Sequence, residues 1–243
     1  MKNLIAAFAL LIPFLSFSQT GKVFDNLTMR SEILEMERRY AVYLPPDYNI
    51  SERSYPVLYL LHGSGDDQTG WVQFGEILYI ADKAIKEGKA TPMIVVMPDA
   101  DSGRRGYTNT PDEEWRYEDF FFRELMPHVE QKFRIKGEKR YRAISGLSMG
   151  GGGTFYYALH QPELFSSACP LSASTGPLNR DGLQNYMNRR GIEATNEEEM
   201  NEWYENYSVL HMVRNISEDE LKTVRWFIDC GDDDFLYEGN SLV

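Results

Sequence analysis

Two short runs, Val57–Leu61 (VLYLL) and residues 93–97 (MIVVM), constrain this chain more than any other feature, because neither alternates with polar positions. A strand with one wet face alternates. A strand that is apolar throughout is buried on both faces, as in a parallel sheet clothed by helices. Between the runs, residues 71–86 have helical spacing. Residues 117–133 repeat it, with Phe121, Leu125, Val129 and Phe133 recurring every four residues on one face. Further strands are predicted at 141–145, 168–171 and 226–230, with a helix over 154–160. Residues 27–34 and 38–44 alternate in part and read as antiparallel edge strands, the second ended by Pro45-Pro46-Asp47. Strands alternating with helices imply an α/β fold, with a mostly parallel central sheet and helices on both faces. Residues 178–222 interrupt the rhythm; they are polar and helical in pattern, with Ser217 and Glu220 spaced for a capping box. They are expected to form a helical insertion over the top of the sheet, within one domain spanning 19–243.

Residues 1–18 do not belong to that domain. Lys2, an apolar run at 4–15 and the small residues Ser16 and Ser18 make the pattern of a secretory signal peptide, with cleavage before Gln19. The run is shorter than the ~20 apolar residues a membrane span needs. The expectation is an exported, soluble protein, secreted or periplasmic. A net charge of −12 argues against nucleic acid and anionic membrane as partners, since either polyanion would repel it. Export permits a disulfide, but Cys169 and Cys230 fall near the start of one predicted strand and the end of the next. That offset is on the order of 10 Å, against the ~7 Å a bridge allows. Two buried free thiols are expected. Nothing in the sequence calls for a cofactor or a metal.

Three segments carry chemistry. Gly146-Leu147-Ser148-Met149-Gly150 is weak alone, but it follows a predicted strand and opens a predicted helix. That is the setting of a nucleophile elbow, a sharp turn that lifts a serine hydroxyl above the sheet edge. Glycines two before and two after suit a turn with no room for a Cβ. His62-Gly63-Ser64-Gly65 follows the buried run Val57–Leu61. Its turn can offer the Ser64 N–H, with that of Met149, to an oxygen that becomes negative during acyl transfer. His62 then packs or fixes the loop. Gly231-Asp232-Asp233-Asp234 follows the last predicted strand, where an acid could orient a histidine and stabilise its cation. Three adjacent aspartates leave the choice among them open.

Taken in order, RRYAVYLPPDY, LLHGSGDDQTGW, AISGLSMGGGGTFYYAL and CGDDDFLYEGN resemble the esterase D-like group of α/β hydrolases, which includes the feruloyl and acetyl-xylan esterases of carbohydrate esterase family 1. The resemblance covers nearly all of the chain after residue 18. It implies the α/β-hydrolase fold, Ser148 as nucleophile, and Met149 with the His62-Gly63-Ser64 turn as oxyanion hole. It also implies Asp234 as the acid, matching the family's Gly-x-x-Asp before an apolar pair, with Asp233 second. The family's histidine falls a few dozen residues beyond the acid. Here nine residues follow Asp234 and none is histidine; all four histidines come earlier. The expectation is a C-terminally incomplete copy lacking the last strand and helix, with the triad histidine beyond Val243. His128 and His160 are expected to be structural, and His211 lies in the insertion. The implied substrate is an ester-bearing carbohydrate or small ester, with Trp71 and residues 101–112 as contacts. A related thioesterase and a non-catalytic carbohydrate-binding remnant are the alternatives.

Overall fold

The two apolar runs become neighbouring parallel strands in the middle of a seven-stranded sheet, β3 (Val57–Leu61) and β4 (Ile94–Pro98). The computed structural model describes residues 19–100 and 106–243, so the predicted signal peptide at 1–18 lies outside the described residues. The other strands are β1 (Lys22–Arg30), β2 (Glu37–Leu44), β5 (Arg142–Leu147), β6 (Ser167–Leu171) and β7 (Arg225–Trp226), in the order β1-β2-β4-β3-β5-β6-β7. The first two form an antiparallel edge, and β2 meets β4 antiparallel; the remaining pairs are parallel. From β3 the chain crosses to β4 on one side, then to β5 on the other. The carboxyl ends of β3 and β5 therefore diverge, and a crevice opens there of the kind that binds ligands in such sheets.

Every residue of β4 is buried, and all of β3 but Leu58. Each large apolar side chain so buried contributes about 1.5–3 kcal/mol. One face of the sheet carries the larger core, built with α3 (Tyr117–Phe120), α4 (Met126–Lys132) and α5 (Met149–His160). The opposite face carries a smaller core of Ala41, Tyr43, Leu60, Val95 and Met97 under α1 (Gly70–Gln73) and α2 (Ile77–Lys86). The insertion is four helices, α6 (Leu183–Arg190), α7 (Glu197–Tyr207), α8 (Val209–Asn215) and α9 (Glu218–Leu221), and the capping box at Ser217 and Glu220 is formed. A last helix, α10 (Tyr237–Leu242), follows the acidic loop.

Several boundaries differ from the expected ones, each for a local reason. The first strand ends at Arg30 and not at residue 34, because Ser31 Oγ accepts the Leu34 N–H at 2.9 Å and turns the chain away. The helix expected over 71–86 is broken after Gln73. Gly75 sits so close to the Trp71 ring that a Cβ would lie 2.5 Å from it, and Glu76 takes a left-handed φ of 46°. The helix at 117–133 contains a π turn at Phe121–Leu125. Pro127 has no N–H for the Arg123 carbonyl and its ring crowds that group, which widens the turn before it. The last predicted strand keeps only Arg225–Trp226, with an isolated bridge from Asp229 to Leu171; Phe227 and Ile228 are exposed at this edge. Cys169 and Cys230 are free, as expected, but half-buried rather than buried.

Candidate active site

Ser148 stands between β5 and α5 with φ 56° and ψ −110°. A serine there carries strain of about 1–3 kcal/mol, which persists only where the surroundings enforce it. Its N–H donates to the Leu171 carbonyl at 2.9 Å. Its own carbonyl accepts from Gly152 at 3.0 Å and Ser174 at 2.8 Å. The flanking glycines are steric requirements: a Cβ on Gly146 would lie 2.4 Å from the Gly150 oxygen, and one on Gly150 2.4 Å from the Leu61 oxygen. Both obstacles are backbone and cannot swing aside. Gly150→Ala is therefore expected to destabilise the fold by about 1–3 kcal/mol or more, as overpacking does. Urea denaturation should show a lower midpoint with an unchanged slope.

The turn after β3 faces this serine. A Cβ placed on Gly63 would lie 3.7 Å from the Ser148 Cβ, and Ser64 is exposed next to it. Met149 opens α5, so its N–H is among the four amides a helix leaves without an internal acceptor. Beneath the turn, His62 is buried and both ring nitrogens are engaged. Nε2 accepts the Ala100 N–H at 3.0 Å, which leaves Nδ1–H to donate to the Gly63 carbonyl at 2.8 Å. Tyr107, on the far side, accepts the His62 N–H through its hydroxyl at 2.8 Å. Trp71 donates its indole N–H to the Leu61 carbonyl at 3.0 Å and packs on the smaller core, so its one donor is not open to a substrate.

Burial holds the His62 pKa below its ordinary 6.5, against the opposing pull of the Gly63 carbonyl and Asp99. A histidine pKa depressed by folding contributes stability that is fully present above about 6.5 and is lost as pH falls through the folded-state value. His128 is lowered too, by burial and then by Lys132, and adds to the same trend. Unfolding free energy is expected to decline below pH 6.5, and His62→Asn to flatten that decline. Denaturant titrations at pH 7.5, 6.5 and 5.5 would check it.

Among the three aspartates, Asp232 and Asp233 are exposed and Asp234 is half-buried. Its Oδ1 accepts the Leu236 N–H at 2.8 Å. That bond, with a second from the Ser172 side chain, holds its carboxyl below the ordinary 3.8. Ser172 directly follows β6, whose last residue, Leu171, takes the Ser148 N–H. The acid and the serine thus lie at the same end of the sheet.

Among the described residues no imidazole is hydrogen-bonded to Ser148 or Asp234. His128 Nε2 pairs with the Tyr40 hydroxyl at 2.9 Å, and His160 bridges Glu118 at 2.7 Å and the Asn206 carbonyl at 3.0 Å. His211, in α8, lies against the Tyr204 ring. Of the loop expected to touch substrate, residues 101–105 lie outside the described residues. Further on, Asn109 accepts from the Trp203 indole at 3.2 Å and Tyr207 serves its N–H, so the loop is tied to the insertion. Tyr107 falls in the loop expected to line the site, but the sequence pattern did not point to Ser172, Ser174 or Arg190, since each reaches the site only through the tertiary fold.

The sequence matches the Esterase family, described as "Putative esterase", over residues 31–242. The chain belongs to that family. A solved ferulic acid esterase is 33% identical, with a TM-score of 0.77, over 92% of this chain and 84% of that one. An esterase of Mycobacterium tuberculosis is 39% identical over 146 residues, 58% of this chain. An endo-1,4-beta-xylanase/feruloyl esterase of Xylanibacter ruminicola is 37% identical over 165 residues, 62% of this chain. These matches span 30% and 22% of those two curated proteins, so both are much longer than the region shared. The fold of this chain is that of the α/β hydrolases, as the order of its motifs implied. No helix of the described residues is long and apolar enough to cross a membrane.

Proposed function

We propose that this esterase cleaves a feruloyl or acetyl ester on plant cell-wall polysaccharide, through an acyl-enzyme formed on Ser148. The observation that carries the reading is the strained Ser148 turn, with the Gly63 turn set directly across from it. The Ser148 hydroxyl adds to the ester carbonyl, and its proton passes to a general base. The carbonyl oxygen becomes an oxyanion facing the Ser64 and Met149 N–H groups. Collapse releases the sugar alcohol, which takes the proton back, and leaves the acyl group on Ser148. Water activated by the same base then frees the acid and restores the serine. Asp234 stays ionised at neutral pH and stabilises the imidazolium form of the base. On this reading the base is an imidazole, and the described residues place none in hydrogen-bond contact with Ser148. A leader at 1–18 fits export to where such substrates lie.

The test follows release of ferulate from methyl ferulate and of phenol from an aryl acetate, using the protein as its gene encodes it. Hydrolysis of either, with stoichiometric acyl transfer to Ser148 seen by mass spectrometry, supports the reading. Turnover without any adduct on Ser148, or no turnover at all, would overturn it.

A further inference from the structure

Two cavities meet at Arg190, and their sizes differ. The inner one, floored by Met149 and walled by Tyr107, Tyr156 and Trp203, holds about 30 Å³, room for little more than a water. The outer groove holds about 420 Å³, room for a sugar ring, and runs from Ser174 past Arg189 and Arg190 to Phe235 and Glu238. It borders both halves of the reaction site: Ser174 N–H bonds the Ser148 carbonyl, and Phe235 and Leu236 directly follow Asp234.

The groove is cationic in an acidic protein. Arg190 is half-buried, donates to Ser174 Oγ at 3.1 Å and lies over the Tyr186 ring with its guanidinium carbon 5.3 Å from the centroid. Among the described residues neither Arg189 nor Arg190 has a carboxylate within ion-pair distance, although the chain carries 37 acidic residues against 25 basic ones. Glu238 lines the same groove without pairing to either. A guanidinium fixed by one donor keeps others free in a planar fork that matches a carboxylate. The largely exposed Phe235 supplies an apolar face suited to the C–H side of a sugar ring.

Resting on the esterase reading above, we propose that this groove binds a carboxylated sugar, a uronate unit of the polysaccharide that bears the ester, with Arg190 as its carboxylate contact. Acidic glycan esters then become the favoured substrates of this site.

The test titrates Ser148→Ala protein with a uronate-substituted xylo-oligosaccharide and with its neutral counterpart, by calorimetry. The acidic ligand should bind about tenfold tighter or more, since a hydrogen-bonded charge pair is being added. The advantage should shrink between 0.05 and 0.5 M salt, survive in part in Arg190→Lys, and vanish in Arg190→Gln. Equal binding of the two sugars overturns the proposal. So does an advantage that persists in the Arg189→Gln/Arg190→Gln double variant, or inorganic phosphate displacing the sugar as well as a free uronate does. Melting curves of each variant confirm that it is folded; if Arg190→Gln is not, the Lys variant and the salt series decide. Ester hydrolysis by the Ser148 protein as its gene encodes it, the same protein as in the esterase test above, is measured in parallel. Intact hydrolysis without acidic preference sinks this inference alone, whereas no hydrolysis sinks the esterase reading.

Discussion

In the protein as its gene encodes it, Ser148→Ala is expected to lower kcat by about 10⁴–10⁶ on any ester that is turned over, while leaving the circular dichroism spectrum unchanged. The size follows from the proposed role of that hydroxyl as the atom that forms the acyl bond; on the same reading, binding and polarisation by the Ser64 and Met149 amides survive. The strained backbone at this position adds a second, independent reading. Ser148→Gly removes the same hydroxyl but suits a φ of 56° better than alanine does. Both variants should be equally inactive, with the glycine protein melting at the higher temperature. A residual rate within tenfold of the parent in either variant would mean that another group attacks the ester.

The second large effect concerns the base. A serine hydroxyl at its free pKa is a poor nucleophile, and no imidazole among the described residues touches Ser148. Protein comprising residues 19–243 is expected to hydrolyse an aryl acetate only at the residual rate that survives loss of one triad member, about 10⁴–10⁶ below that of a complete serine–histidine–acid triad. In the protein as its gene encodes it, Asp234→Asn should cost orders of magnitude, with Asp233→Asn near neutral. Single-turnover kinetics on all of these separate acylation from release. Fast hydrolysis by 19–243 that is lost in His211→Ala would show that the insertion supplies the base instead.

Much of the site was legible because its parts are local in sequence. The Ser148 turn needs only its own strand, helix and glycines, and the Gly63 turn directly follows a strand whose apolar run announces it. Asp234 stood out from its neighbours only through the family pattern; in the structure the distinction is physical, a carboxylate held by Leu236 and Ser172. The fold's main strands were legible for the same reason. The break at Gly75 and the π turn before Pro127 were not, because helical spacing continues through both. Arg190 was invisible, since nothing in LQNYMNRR says that its last residue will meet Ser174. The role expected of Trp71 was likewise unreadable, because its partner, the Leu61 carbonyl, is supplied by a neighbouring strand.

The insertion is fastened to the rest of the molecule by a chain of polar contacts, buried at one end and open to solvent at the other. Tyr207 donates to Glu118 at 2.8 Å, Glu118 also holds His160 of α5, and His160 reaches the Asn206 carbonyl. On the proposed reading, bond-making atoms lie on β5–α5 and on the loops after β3 and β7, whereas the cavities beside them are walled in large part by α6, with Trp203 of α7 on the inner one. Chemistry and selectivity would then be written on different stretches of the gene. Exchanging residues 178–222 for those of a relative, with Tyr207 and Asn206 kept as the fastening, should move substrate preference while the reaction itself stays as it was.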